Sequence, residues 1–178
     1  MNGAVSMTEQ PLAATLQARI ASSWQALAGV EDPEIPALSI VDLGLIRFVR
    51  ITNGALLEVG LSPTYVGCPA TEVIRQAVQS ALSQPGIGDF VVSNVLSPAW
   101  SSDWITPEGR RKLADYGIVP PEMAASNMRN VLRGIRPVAC PRCGSVDTEC
   151  VSQFGSTPCK ALHRCRACLE PFEYFKCI

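Results

Sequence analysis

Histidine is nearly absent from this chain: one residue, His163, in 178. A Rieske centre takes two histidines on one iron, so that cluster type is excluded. Charge is scarce and balanced, with 17% charged residues and a net charge of −1. Such a chain exerts no long-range pull on phosphate backbones or anionic lipid, so neither nucleic acid nor a membrane is expected as a partner. No run approaches the roughly 20 apolar residues of a membrane span. The first twenty residues lack a basic segment followed by an apolar one, so no secretory signal is read and a cytoplasmic location is expected. There is no phosphate loop, dinucleotide fingerprint or Ser/His/Asp set, which argues against independent enzymatic activity. Cysteine is missing from the first 139 residues except at Cys68.

The other seven cysteines crowd the end of the chain: 140, 143, 150, 159, 165, 168 and 177. Cys140-Pro-Arg-Cys143 and Cys165-Arg-Ala-Cys168 are two Cys-x-x-Cys pairs separated by 21 residues. That spacing folds two thiolate knuckles onto one tetrahedral ion. A segment so short cannot easily build its own apolar core, and a structural ion supplies on the order of 10–16 kcal/mol in its place. Zinc is preferred to iron or a cluster because symmetrical knuckles mainly organise a small fold. The metal ligands are therefore read as Cys140, Cys143, Cys165 and Cys168. Cys159 and Cys177 could each substitute for a knuckle ligand, Cys150 has no assigned role, and His163 is read as a surface residue.

Clustered pairs without an export signal indicate metal binding in a reducing compartment rather than disulfides. Residues 138–178 carry five basic against four acidic side chains, so the ribbon lacks the basic footprint of a nucleic-acid module. Phe172 and Tyr174, at strand spacing, read as ribbon core plus a protein-contact face.

Upstream, Leu12, Leu16, Ile20, Trp24 and Leu27 recur at helical spacing and predict a helix over 8–28. Strand-like segments at 44–51 and 55–61 flank Asn53-Gly54, a strong hairpin signal. A helix is expected from Pro69, with Ile74, Ala77, Val78, Ala81 and Leu82 on its buried stripe. A third strand follows at 90–95, and Thr106-Pro107-Glu108 opens a short helix that stops near Gly117. Residues 118–137 read as a connector. The order gives an α+β domain over 1–125, a linker at 126–137 and a β zinc ribbon at 138–178.

Cys68 sits directly before Pro69, at the expected N-cap, where free N–H groups and the helix dipole favour thiolate over thiol. Asp32 and Glu34 flank Pro33 as candidate ligands or partner contacts; turn formation explains them equally well. Asp42 precedes a strand and is less informative. A thiol redox role would call for a resolving cysteine, and none lies near Cys68 in sequence.

Three ordered motifs carry a resemblance: Asp32-Pro33-Glu34-Ile35-Pro36, Ser39-Ile40-Val41-Asp42-Leu43-Gly44-Leu45-Ile46, and Pro63-Thr64-Tyr65-Val66-Gly67-Cys68-Pro69-Ala70. With Trp100–Gly117 they resemble the SufT-like iron–sulfur cluster assembly domain over most of 10–118. Ser62 stands where many members have Thr. The resemblance implies a two-layer domain of helices on a short mixed sheet, Cys68 as the reactive cysteine, and Asp32 and Glu34 as the acidic motif. The runs Phe154–Leu162 and Glu170–Lys176 resemble the accessory-subunit family of bacterial phenylacetyl-CoA epoxidase systems. His163 stands where that family has an aromatic. The implied role is maturation of a partner's metal centre, with Cys68, Asp32 and Glu34 handling transient Fe or an Fe–S cluster. The implied partners are the epoxidase reductase or the di-iron oxygenase subunits, and a homodimer is expected from the family. The alternative is a purely structural docking subunit.

Overall fold

The computed structural model describes residues 9–52, 55–65, 67–122 and 138–176. Helix α1 (Glu9–Ala28) follows the expected stripe: Leu16, Ile20 and Trp24 are half-buried and Leu27 is wholly buried. The side chain of Leu12 lies outside the described residues. After α1 the chain folds back on itself. Asp32 N–H bonds Leu38 O at 2.8 Å and Ile40 N–H bonds Val30 O at 2.9 Å. This return buries Ile35, Leu38 and Ile40.

Strands β1 (Ile46–Ile51) and β2 (Leu57–Leu61) pair antiparallel. Asn53 and Gly54 lie outside the described residues; beside them Ala55 takes a φ of 65°. Strand β3 (Phe90–Asn94) joins β2 in parallel, which requires a crossover, and α2 (Ala70–Leu82) provides it. The sheet order is β1-β2-β3. Leu57, Val59 and Leu61 on β2 meet Ile74, Val78 and Leu82 on α2 in one core. Each such burial is worth about 1.5–3 kcal/mol.

Helix α3 (Pro107–Asp115) begins as its sequence announces: Thr106 Oγ1 accepts from Gly109 N–H at 2.9 Å, and Gly117 follows its end with a φ of 87°. Residues 118–119, expected to open a connector, instead form strand β4 (Ile118–Val119). Its parallel partner is the last strand of the ribbon, β7 (Pro171–Phe175). The ribbon sheet runs β4-β7-β6-β5, with β5 at Thr148–Ser152 and β6 at Lys160–Cys165. The two units are thus joined through a shared sheet. Phe175, 1% exposed, enters the main core and lies 6.2 Å from the Trp100 ring. No helix among the described residues is long and apolar enough to cross a membrane.

Asp42 proves to be a latch. Its carboxylate accepts from Ser39 N–H at 3.1 Å and pairs with Lys112 Nζ of α3 at 2.6 Å. Its backbone oxygen takes the Thr106 N–H at 2.9 Å. Next to it Gly44 has a φ of 67°, and a Cβ there would overlap the Trp104 backbone, so only glycine fits this turn. Burial raises the Asp42 carboxyl, but the Lys112 ammonium and Ser39 more than offset it and leave it below its ordinary 3.8. A lowered carboxyl stabilises the fold above its unfolded pKa, and that contribution disappears as pH falls through the folded value. Asp42→Asn should therefore cost on the order of 2 kcal/mol at neutral pH. In melting curves taken at descending pH, the gap to wild type should close below about pH 3.8. A gap independent of pH would rule out this latch.

Candidate metal centres

In the ribbon, the first knuckle sits before β5 and the second at the tight turn between β6 and β7. The sulfurs of Cys140, Cys143, Cys165 and Cys168 all lie within 4.8 Å of one another. Cys140 and Cys168 are 3.7 Å apart, and Cys143 and Cys165 are 3.6 Å apart. A tetrahedron with metal–sulfur bonds of about 2.3 Å has edges of about 3.8 Å, so the donor set and spacing fit Zn²⁺. Cys168 N–H donates to Cys165 Sγ at 3.4 Å and holds that thiol down at about 7. That N–H favours the Cys165 thiolate alone; among the crowded sulfurs the Cys168 thiol is pushed up to about 12, and a bound cation would remove that penalty.

His163 takes no part in this group. Its ring stacks on Phe172 at 5.7 Å and meets Tyr174 edge-on at 5.6 Å. Burial lowers its pKa and keeps it neutral. It is therefore a half-buried member of an aromatic cluster, not the surface residue the sequence suggested. Cys150 is exposed and faces His163 across β5 and β6. Cys177 lies outside the described residues.

A second sulfur-bearing site lies where the ribbon meets the assembly domain. One cleft is lined by Asp32, Glu34, Ser62, Cys68 and Cys159, with Ile35, Leu43, Leu45, Leu61 and Phe175 as apolar walls. The space open to the centre of a water-sized sphere is about 20 Å³, enough for a water or a single ion. Asp32 is 7% exposed, and its Oδ1 accepts from the N–H groups of Glu34 and Ile35 at 2.9 and 2.8 Å. It shapes the turn and walls the cleft at once. Burial raises the carboxyls of both Asp32 and Glu34, and the Asp32 charge raises Glu34 further. Helix α2 begins one residue later than expected. Pro69 is its N-cap, and Cys68 stands just before the cap with its carbonyl accepting from Thr71 N–H at 3.1 Å.

Sequence reasoning missed Cys159 and Ser62 as members of this cleft. Cys159 is 5% exposed and its thiol donates to Glu34 Oε2 at 3.8 Å. The knuckle role considered for it is excluded by that placement, since the four ribbon sulfurs form a complete group without it. Ser62 Oγ is buried and has no hydrogen-bond partner, and Tyr65, whose buried hydroxyl interacts with Cys68, lines a neighbouring hollow with it. Burial, and then the neighbouring Cys68, push the Tyr65 hydroxyl up to about 12, with Glu34 and Cys159 adding to the effect. The sequence signals for Cys159 were a thiol unclaimed by either knuckle and its place within the run Phe154–Leu162 that carries the family resemblance. The fold also supplies what was missing near Cys68 in sequence, a second cysteine.

Helices on a short mixed sheet, a cysteine before α2 and a four-thiol ribbon define an α+β assembly domain joined to a metal ribbon. Comparison with known proteins agrees. Residues 24–94 match the family described as iron–sulfur cluster assembly protein, and 124–176 match the PaaD zinc beta ribbon domain. The Staphylococcus aureus (strain USA300) Fe–S protein maturation auxiliary factor SufT is 35% identical over 78 residues, covering 43% of this chain and 88% of that protein. The crystal structure of a domain of unknown function, DUF59, from Bacillus anthracis superposes with a TM-score of 0.52 at 27% identity, covering 57% of this chain and 96% of that one. An Escherichia coli (strain K12) protein named as the D component of 1,2-phenylacetyl-CoA epoxidase is 45% identical over 170 residues, covering 95% of this chain and 99% of that protein. The chain belongs to this family of epoxidase D components.

Because Phe175 ties the ribbon into the main core, the ribbon ion should stabilise the whole chain. Cys165→Ser is expected to lose bound zinc and to lower the melting temperature of the assembly domain as well as the ribbon. Metal analysis beside calorimetry checks this; an unshifted assembly-domain transition in the zinc-free variant would contradict it.

Proposed function

We propose that this chain is a non-enzymatic accessory protein of a phenylacetyl-CoA epoxidase system, serving phenylacetate degradation by maturing a metal centre of its partner subunits. The name of the E. coli relative supports the system, and the assembly domain supports the kind of work. One observation carries the reading: Cys68, Asp32 and Glu34, distant in sequence, converge on one cleft that is not built like the ribbon centre. Among the described residues, the ribbon thiols are the group of three or more ligand atoms gathered within 4.8 Å. The cleft ligands are not so gathered.

That difference matches two tasks. Four converging thiolates hold an ion permanently, and here that ion is structural Zn²⁺ on Cys140, Cys143, Cys165 and Cys168. A carrier must instead bind and let go. Half-buried Cys68 can hold iron or an Fe–S cluster until a client's cysteines displace it, while Asp32 and Glu34 offer oxygen ligands and offset the positive charge of the cargo. The clients are the Fe–S cluster of the reductase or the di-iron site of the oxygenase subunit, in the cytoplasm. The ribbon face bearing Cys150, His163 and Tyr174 is the docking surface.

Anaerobic iron, sulfide and zinc analysis of wild type beside Cys68→Ala tests the reading. Zinc near one per chain is expected in both, with iron or sulfide retained only by wild type. In cells, the variant should leave the client under-occupied. Zinc in both and iron in neither, even after reconstitution, would instead favour a purely structural docking subunit.

A further inference from the structure

We propose that Cys159, carried in by the ribbon, is the second sulfur ligand for the iron cargo at Cys68. This rests on the reading above, that Cys68 binds iron. It adds that the site is formed jointly by the assembly domain and the ribbon.

Cys159 and Cys68 line the same cleft, together with Asp32 and Glu34. The Cys159 thiol is directed at Glu34 Oε2, and Thr157 Oγ1 lies 3.1 Å from its sulfur. A buried hydroxyl without a partner, Ser62 Oγ, lines the same cleft. Buried polar atoms left unsatisfied usually await a ligand or an ordered water. The arrangement is also costly for its own charges. Cys159 is 5% exposed and shares the cleft with two carboxylates, Asp32 and Glu34. A bound cation offsets that cost.

The chemistry selects the metal. Carboxylates alone suit magnesium or calcium, whereas two thiolates beside a carboxylate suit iron or zinc. A redox pair is the competing use of two thiols. Two carboxylates, Asp32 and Glu34, line the cleft beside the thiols; they are donors for a cation and have no part in disulfide exchange, so ligation fits better. Loading balances without electron transfer: Fe²⁺ replaces one proton on each of the two thiols, and two protons leave. On delivery, client thiolates take over the iron and each departing cysteine regains its proton. The two positions suit an ordered exchange. Half-buried Cys68 is displaced first, and fully buried Cys159 keeps hold until the client is engaged.

The test is anaerobic titration of the zinc-loaded full chain with ferrous iron. It is read by thiolate-to-iron charge-transfer absorbance, with zinc content and melting temperature as controls. Cys159→Ser and Cys68→Ser should each weaken iron binding at least roughly tenfold. Zinc near one per chain should persist in both. Iron binding unchanged in Cys159→Ser but lost in Cys68→Ser would overturn the inference and leave the carrier reading intact. Unchanged binding in both would remove both. Should Cys159→Ser fail to fold, iron K-edge absorption of wild type still decides: two sulfur neighbours are expected, and a single one refutes the inference.

Discussion

Phe175 and Cys159 of the ribbon pack into the assembly-domain core, and the arrangement of the four-thiol group and of the cleft depends on that contact. The ribbon's own core consists of Cys140, Cys165 and Phe172. Two of those three are ligand thiols, so little apolar burial remains to hold the module together. At about 1.5–3 kcal/mol, one buried phenylalanine is small beside a structural ion. Its directional effect is larger than its energy. Together with the pairing of β4 and β7, it fixes the ribbon against the assembly domain and brings position 159 to Glu34, 125 residues away.

The same chain thereby presents sulfur in two environments. In the ribbon, sulfur–sulfur distances already match the edges of a coordination tetrahedron, and a backbone N–H helps remove a proton. At the cleft the ligand atoms are spread, the thiol of Cys159 is held protonated, and two carboxyls sit raised by burial. Lys160 is close enough to lower both acids, but its ammonium is already engaged by Glu173 at 2.8 Å. The cleft is thus unfavourable for its own charges and favourable for a cation. Part of any gross attraction is consumed in deprotonating the thiols and drawing the ligands together. In the proposed carrier role, a site of that kind would bind reversibly, as delivery requires.

How much of this could be read in advance varied with the range of the interaction. Helix α2 and the Thr106 cap followed from local periodicity and capping chemistry, which act over three or four residues. The knuckle pairing was legible because metal geometry constrains sequence spacing. Asp42 was not legible: its partner Lys112 lies 70 residues away, and nothing near Asp42 announces it. Strand β4, two residues long, carries too little pattern to be seen without its partner β7. Cys159 was hidden for the same reason, and counting cysteines drew attention toward the wrong centre. The acidic turn offered two readings, a turn former and a site; Asp32 forms the turn and also lines the cleft.

Strand β6 explains why a ribbon should be attached to this domain at all. Cys165, a ribbon sulfur, ends it, and Cys159 immediately precedes its first residue, Lys160. At about 3.3 Å per residue the strand separates the two sulfurs by about 20 Å. That is too far for one ion to disturb the other's ligands directly. The strand is stiffened by pairing with β5 and β7 on both sides. Order imposed by the ion at one end is therefore transmitted to the thiol at the other as position alone. Zn²⁺ suits the anchoring end because it has no redox chemistry and no geometric demand beyond four thiolates. Under the proposed carrier role, iron would be taken up and released at the far end without altering the centre that holds the strand.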